Sequence, residues 1–402
     1  MRTSITERHE RIIELLGQRG QMRVSDLANE LGVSAVTARR DVELLERHGA
    51  LHRRHGVAYA LDAGAAPARS ARARADVRQG NGRPRGPVVG MVVPSATYYY
   101  ADVIRGARAA VGDVGGRLLI GLTNYDLAEE REQIRQLQSR GAKALLLTPA
   151  WPTGMAPEEE ADRVAMLGVP TVLVERRGQL GFRVDELDRV CSAHAHGGYL
   201  AVRRLASLGR QRIAVVARES PTAAQLQAGA RSALRHLGVA EESQLVLTSP
   251  TTATPAEVEQ ALNRALDHVV EGRIDGALVH SDADAVQFLQ LAQRRGLQVP
   301  EDVSLIAYDD EIAGLADPAI TAVAPQKFAV GQAAARMALR RLAEMRRASA
   351  GLPLSPRHHI ELLPELRVRE SCGGDPLDVT ADTQIMIDRS MSVDPVIRSV
   401  SG

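Results

Sequence analysis

The feature that most constrains this 402-residue chain is an alternation that begins at residue 88. Continuous apolar runs fall at 88–93, 117–122, 144–148 and 171–175, and again at 212–217, 244–248, 276–280 and 303–308. Helical periodicity fills the spaces between them, near 101–114, 126–140, 157–168, 195–208, 222–238, 255–271 and 283–296. A strand that is apolar throughout is buried on both faces, and strands joined through helices run parallel. Two such sets predict an α/β body of two lobes, each built on a parallel, doubly wound sheet. A ligand crevice is then expected outside the carboxyl ends of the strands.

The first 61 residues follow a different pattern. Ile5, Ile12, Leu15 and Leu16 mark one helix, with Gly20 beyond its end. Ser25 suits the N-cap of a second helix over 26–31, which Gly32 ends in a tight turn. Ser34 suits the cap of a third over 35–48, with Val42 and Leu45 facing inward beside Val36 or Ala38. Two short helices joined by Gly32-Val33-Ser34 match a helix-turn-helix, whose second helix enters the major groove of DNA. The outer face of that helix carries Thr37, Arg39 and Arg40, and arginine can bond guanine O6 and N7 together. Segments 50–53 and 57–61 then flank Arg54-His55-Gly56 as a two-stranded wing with a basic tip. Spacing alone allows a three-helix interaction module equally well.

Charge separates head from body. Residues 1–87 hold 16 basic and 10 acidic side chains, whereas the remainder holds 34 and 39. A basic head on a mildly acidic body suits a polyanion partner, although an Arg-rich stretch supplies much of that charge. That stretch, DAGAAPARSARARADVRQGNGRPRGP at 62–87, reads as a flexible linker, and 373–402 as a poorly ordered tail. The expected domains are therefore 1–61, a linker at 62–87, and a two-lobed body at 88–372.

Several function classes drop out. Two cysteines, Cys191 and Cys372, exclude a disulfide framework. No apolar run reaches membrane-spanning length, and the first residues lack a secretory apolar core, so the expected location is the cytoplasm. No phosphate-cradling glycine loop, nucleophile elbow or His-Glu-x-x-His pattern is present, which argues against an enzyme and against a cofactor. Cys191, His194 and His196 do not match a standard zinc pattern, and His358 and His359 on a strand would point to opposite faces. No bound metal is expected.

The segment VSDLANELGVSAVTARRDVELLERHGALHRRHGVA, with its S-x-x-T-x-R-R-D core and R-x-H-G wing, resembles the DeoR-type head of bacterial transcription regulators. The resemblance implies that Ser34, Thr37, Arg39 and Arg40 read DNA and that Arg53, Arg54 and His55 touch the backbone or minor groove. Ala38 stands where a larger aliphatic residue is usual. The segments VVGMVVPSATYYYADVIRGARAAV, GVPTVLVERR, VPEDVSLIAYDDEIAGLADPAITAV and ELRVRESCG each resemble the LacI/GalR-type, periplasmic-binding-protein-like sensor domain. That resemblance implies effector contacts at Ser95, Tyr98, Tyr99, Tyr100, Arg176, Ser281, Asp282 and Asp309. Trp151, the only tryptophan, follows the third strand and suits a stacking wall or core packing equally. Each aspartate also suits a helix N-cap; at Asp310 that reading is preferred, at Asp282 and Asp309 the ligand role. One position departs from the pattern: Ser192 and Ala193 stand where the family usually has an aspartate. The ligand set is then altered, or His194 and His196 substitute.

The resemblance implies a homodimer, paired through helix 101–114 and the 326–341 region, that binds double-stranded operator DNA. A sugar-like effector would close the lobes and change the spacing of two heads, which operator half-sites hold fixed. The expected function is a ligand-responsive repressor of carbohydrate-related genes. The nearer alternative senses a non-sugar metabolite, and the more distant one is a transporter's solute-binding protein.

Overall fold

The computed structural model describes residues 8, 11–12, 15–16, 19–33, 37–38, 41–42, 45, 51–54, 57–60, 86–151, 157–238, 245–348 and 354–374. The chain forms two compact units, Met1–Arg83 and Pro84–Gly402.

In the first unit, β1 (Gln21–Arg23) runs straight into α1 (Val24–Leu31), and β2 (Leu51–Arg54) and β3 (Val57–Ala60) follow. The wing is a three-stranded antiparallel sheet in the order β1-β3-β2, not a two-stranded one, because Gln21–Arg23 adds to the free edge of β3. Ser25 lies inside α1 rather than at its cap. Extended Arg23 holds the cap position without a side-chain bond, and Asp26 complements the positive end of the helix. Gly32, at φ 63°, ends the helix as expected, and Val33 N–H donates back to Ala28 O. Ile12, Leu15, Leu16, Leu27, Ala38, Val42, Leu45 and Leu51 form one core. Beside it, Arg8 Nε donates to Asp41 Oδ2 at 2.9 Å and ties the first helical segment to the third.

The second unit holds two six-stranded sheets. The first lobe is built from β4 (Val88–Val93), α2 (Tyr99–Asp113), β5 (Arg117–Leu122), α3 (Leu127–Ser139), β6 (Ala144–Leu147), α4 (Glu158–Ala165), β7 (Thr171–Val174) and β8 (Asp188–Ser192). The second lobe continues with α5 (His194–Ser207), β9 (Ile213–Arg218), α6 (Pro221–Leu237), β10 (Leu245–Ser249), α7 (Pro255–Val270), β11 (Gly276–His280), α8 (Asp282–Arg294), β12 (Ser304–Tyr308) and β13 (Thr321–Ala324). The chain then returns to the first lobe with α9 (Lys327–Ala348) and β14 (His359–Leu362), and ends on the second with β15 (Glu365–Arg367). Strand orders are β14-β8-β7-β6-β4-β5 and β10-β9-β11-β12-β13-β15. All pairings are parallel except β13 with β15, so the second sheet is mixed rather than purely parallel.

Each lobe thus has two strands more than its four continuous apolar runs. β8 opens on Asp188, a fully buried carboxylate that accepts from Arg341 Nε at 2.6 Å and Nη2 at 2.8 Å and from His358 N–H at 2.8 Å. These bonds pin α9 and the approach to β14 onto the first sheet. A glycine seam fixes the same helix: a Cβ at Gly331 would lie 1.8 Å from Val103 O, and one at Gly106 would lie 1.9 Å from Phe328 O. Only a residue without a side chain lets α2 and α9 approach so closely.

Candidate functional site

Strands β4 to β12 point their carboxyl ends at a shared cleft between the lobes, and a cavity of about 440 Å³ lies there. The first lobe contributes Tyr98, Tyr99, Tyr100, Tyr125, Ala150, Trp151, Glu175, and Arg176. The second contributes His194 and Ser220–Thr222, with Thr251, Thr252, His280, Ser281 and Asp309. Its backbone is unusual. Six non-glycine residues among those described have left-handed φ, and four of them line the cavity: Tyr98 at 52°, Tyr125 at 63°, Glu175 at 55° and Asp309 at 96°. Each follows a strand end, and each such conformation costs on the order of 1–3 kcal/mol, a pattern characteristic of ligand clamps.

Glu175 is the most heavily bonded group. Its Oε1 accepts from Tyr99 Oη at 2.6 Å and Ser192 Oγ at 2.8 Å, and its Oε2 from Ser192 N–H at 3.0 Å, with His194 Nε2 at 3.3 Å. Burial pushes this carboxyl up, but His194, Tyr99 and Ser192 together outweigh it and bring it down to about 2. His194 Nδ1 lies 2.7 Å from Tyr308 Oη. A carboxylate therefore does stand beside Ser192, where the sequence pattern lacks its aspartate, and it comes from the residue that follows β7. His196 lies outside the cavity wall, stacked on Tyr199.

Asp309 behaves in the opposite way. Burial lifts its carboxyl to about 7, with Asp282 and Glu311 adding to the effect and Lys327 opposing it. His280 Nε2 lies 3.8 Å away, and burial together with the His194 and Arg218 charges holds that imidazole down at about 3. Arg176 is nearly buried, with Nε donating to Pro149 O at 3.0 Å and Nη1 to Glu175 O at 2.8 Å. Trp151 is packed in the first-lobe core, 1% exposed, and borders the cavity.

Two expected contacts are not in the cavity wall. Asp282 is fully buried, its Oδ2 accepting from the N–H groups of Glu311 and Ile312 at 2.6 Å and of Ala313 at 3.1 Å, while Tyr98 Oη donates to its Oδ1 from the other lobe. It anchors a loop and bridges the lobes. Ser95 Oγ donates to Thr97 O at 3.3 Å. Asp310 is not a helix cap: it pairs with Arg367 and Arg369 at 2.7 Å each and fastens β15. Glu175, Tyr125 and His280 were not singled out from the sequence; the available signal was their place one to three residues beyond, or at the end of, an apolar run. Burial pushes the Cys191 thiol up to about 12, which leaves little thiolate to ligate a metal. Among the described residues no three His, Cys, Asp or Glu side chains group as a metal site.

In the head, Thr37 is a half-buried helical residue, and Arg53 and Arg54 lie on β2. Ser34, Arg39, Arg40 and His55 lie outside the described residues, as do most of 62–87 and of the tail.

Residues 8–63 match the DeoR-like helix-turn-helix domain, and residues 202–372 match the periplasmic binding protein-like domain. The chain is a transcription regulator with a DeoR-like helix-turn-helix head and a periplasmic-binding-protein-like body. The regulator is 29% identical over 244 residues to the HTH-type transcriptional regulator AscG of Escherichia coli, a match covering 58% of this chain and 68% of AscG. It is 26% identical over 246 residues to the arabinose metabolism transcriptional repressor of Geobacillus stearothermophilus, covering 60% and 66% of the two chains. Its body is also similar to a LacI family regulator from Enterococcus faecium solved with bound ribose, at TM-score 0.57 and 21% identity, covering 71% of this chain and 98% of that one. These relatives are regulators rather than enzymes. No helix among the described residues is long and apolar enough to cross a membrane.

Proposed function

We propose that the regulator represses carbohydrate-related genes and that a sugar or sugar-like effector, bound in the interlobe cavity, changes its affinity for operator DNA. The observation that carries this reading is the lining of that cavity. Asp309 and Arg176 offer an acceptor and a donor for hydroxyls, and Trp151 and the tyrosines offer faces for the apolar side of a sugar ring. The relationship to an arabinose repressor supports it. Effector contacts are Tyr98, Tyr99, Tyr100, Trp151, Arg176, Ser281 and Asp309, joined by His280.

The head at 1–61 contacts the bases through Ser34, Thr37, Arg39 and Arg40, and the DNA backbone or minor groove through Arg53, Arg54 and His55. The linker at 62–87 joins it to the sensor at 88–372, with the tail at 373–402. The protein works in the cytoplasm as a homodimer, paired through the outer sides of helices 101–114 and 326–341, where Val114 and Phe328 stay exposed. One observation favours a non-sugar metabolite instead: the carboxylate beside Ser192 comes from Glu175, and its oxygens are already filled by protein donors.

A thermal-shift screen against sugars, sugar phosphates and polyols separates the two readings. A ligand at a hundred times its dissociation constant adds about 2.7 kcal/mol to the folded state. Asp309→Ala should abolish that shift and leave operator affinity intact. No shift from any member of the panel would remove the sugar and leave the regulator.

A further inference from the structure

Aromatic residues are scarce in this chain, with seven tyrosines and one tryptophan among 402 residues, yet four of those tyrosines and the tryptophan line one cavity. Two of the tyrosine hydroxyls are already committed. Tyr98 Oη donates to Asp282, and Tyr99 Oη donates to Glu175. What these side chains leave for a ligand is ring surface rather than a hydrogen bond. A single sugar ring has two faces, and two aromatic rings cover them; five line this cavity.

Their depths differ. Trp151 and Tyr100 are 1% and 7% exposed, as deeply placed as Asp309 and Arg176 at 4% and 8%. Tyr98 and Tyr125 are 36% and 62% exposed and so form the mouth. Both mouth residues adopt left-handed backbone, so the fold spends conformational energy to hold two large apolar rings against water. The bottom is polar and aromatic, and the opening sets the Tyr98 and Tyr125 rings beside the exposed Thr251 and Thr252.

Building on the sugar reading, we propose that the effector is a two-part, glycoside-like molecule. Its hydroxylated ring sits deep against Asp309, Arg176 and Trp151, and a planar apolar ring on its glycosidic side rests at the mouth against Tyr98 and Tyr125. Tyr125, on the loop after β5, is the residue that sets the preference for that second ring.

The test is calorimetric titration of the full-length protein with matched pairs of methyl and phenyl glycosides of glucose, galactose, xylose and arabinose, together with the free sugars and phenol. In the pair that binds, the phenyl member should bind at least about tenfold more tightly. Tyr125→Ala should bring the two within about twofold of each other, whereas Tyr125→Phe should keep the gap. Because Tyr125 is exposed on a loop, loss of the fold does not confound the variant. Equal affinities within a binding pair would overturn this inference and leave the sugar reading intact. Phenol alone binding as tightly as the phenyl glycoside would overturn the two-part ligand. Absence of binding by every glycoside and free sugar would overturn both.

Discussion

Glu175→Gln probes the most densely bonded carboxylate of the sensor, and the structure sets the size and pH course of its effect. The substitution keeps the shape of the side chain and removes its charge from Tyr99, Ser192 and His194. The folded carboxyl lies at about 2 against an ordinary 4.5. A depressed carboxyl contributes stability that is fully present above its unfolded pKa and is lost as pH falls toward its folded one. The contribution is therefore about 3 kcal/mol at pH 7 and falls to about 2 kcal/mol by pH 3.5. Urea unfolding of wild type and variant at both pH values measures it. Trp151, the only tryptophan, lies in the first lobe close to the site, so its fluorescence follows the relevant transition. The variant should lose about 3 kcal/mol at neutral pH, with the gap narrowing by roughly 1 kcal/mol in acid. A gap that stays constant between pH 7 and 3.5, or one below about 1 kcal/mol at pH 7, would refute the claim that a buried charge organises this wall.

Other perturbations test separate parts of the molecule. Asp188→Ala leaves the buried Arg341 guanidinium to Glu344 and the Ser355 and Pro356 carbonyls and should cost about 3 kcal/mol in urea unfolding, part of it recovered when Arg341→Met is added. Gly331→Ala drives a methyl group into Val103 O and should cost about 1–3 kcal/mol, read as a lower Tm. Gly112→Ala, in α2 with open space around it, should instead raise stability by about 0.4–1 kcal/mol. Arg39→Ala should weaken binding to a cognate operator by about 1–3 kcal/mol and to random DNA far less, checked by parallel binding titrations at one salt concentration. Equal losses would make it a phosphate contact.

Six of the eight apolar strands, β4, β6, β7, β9, β11 and β12, were legible because burial on both faces leaves no room for polar residues. By contrast, β5 and β10 are half-exposed edge strands whose apolar runs alone marked them. β8, β14 and β15 were harder. β8 tolerates Asp188 only because Arg341 reaches it from 153 positions away, and β14 and β15 sit at sheet edges, where alternate residues are exposed. The same distinction runs through the site. Trp151, Arg176 and Asp309 follow strand ends, and once the strands are found the crevice places them. The work of Glu175 depends on Ser192 and His194, and that of Asp282 on the 311–313 loop, partners that only the folded chain brings near. Tyr125 lies three residues past a strand in a left-handed turn, where a sequence offers only a surface aromatic. In the head, the inward residues Val42 and Leu45 followed from helical spacing, whereas Gln21-Met22-Arg23 was too short and polar to read as a strand.

The glycine seam between α2 and α9 joins parts of the chain made far apart in time. The five parallel strands of the second lobe come from one uninterrupted stretch, but the first lobe needs α9 to cover its sheet and β14 to cap its edge. At ordinary rates of synthesis, the residues between α2 and α9 take roughly ten to forty seconds to appear. During that interval the glycine face of α2 and the edge of β8 wait without their partners, and slow long-range closure leaves such surfaces open to aggregation. A ribosome that stops before residue 327 would release the five parallel strands of the second lobe, without the edge strand β15, attached to an unfinished first lobe. The lobe that is begun first thus waits longest for the helix that covers it.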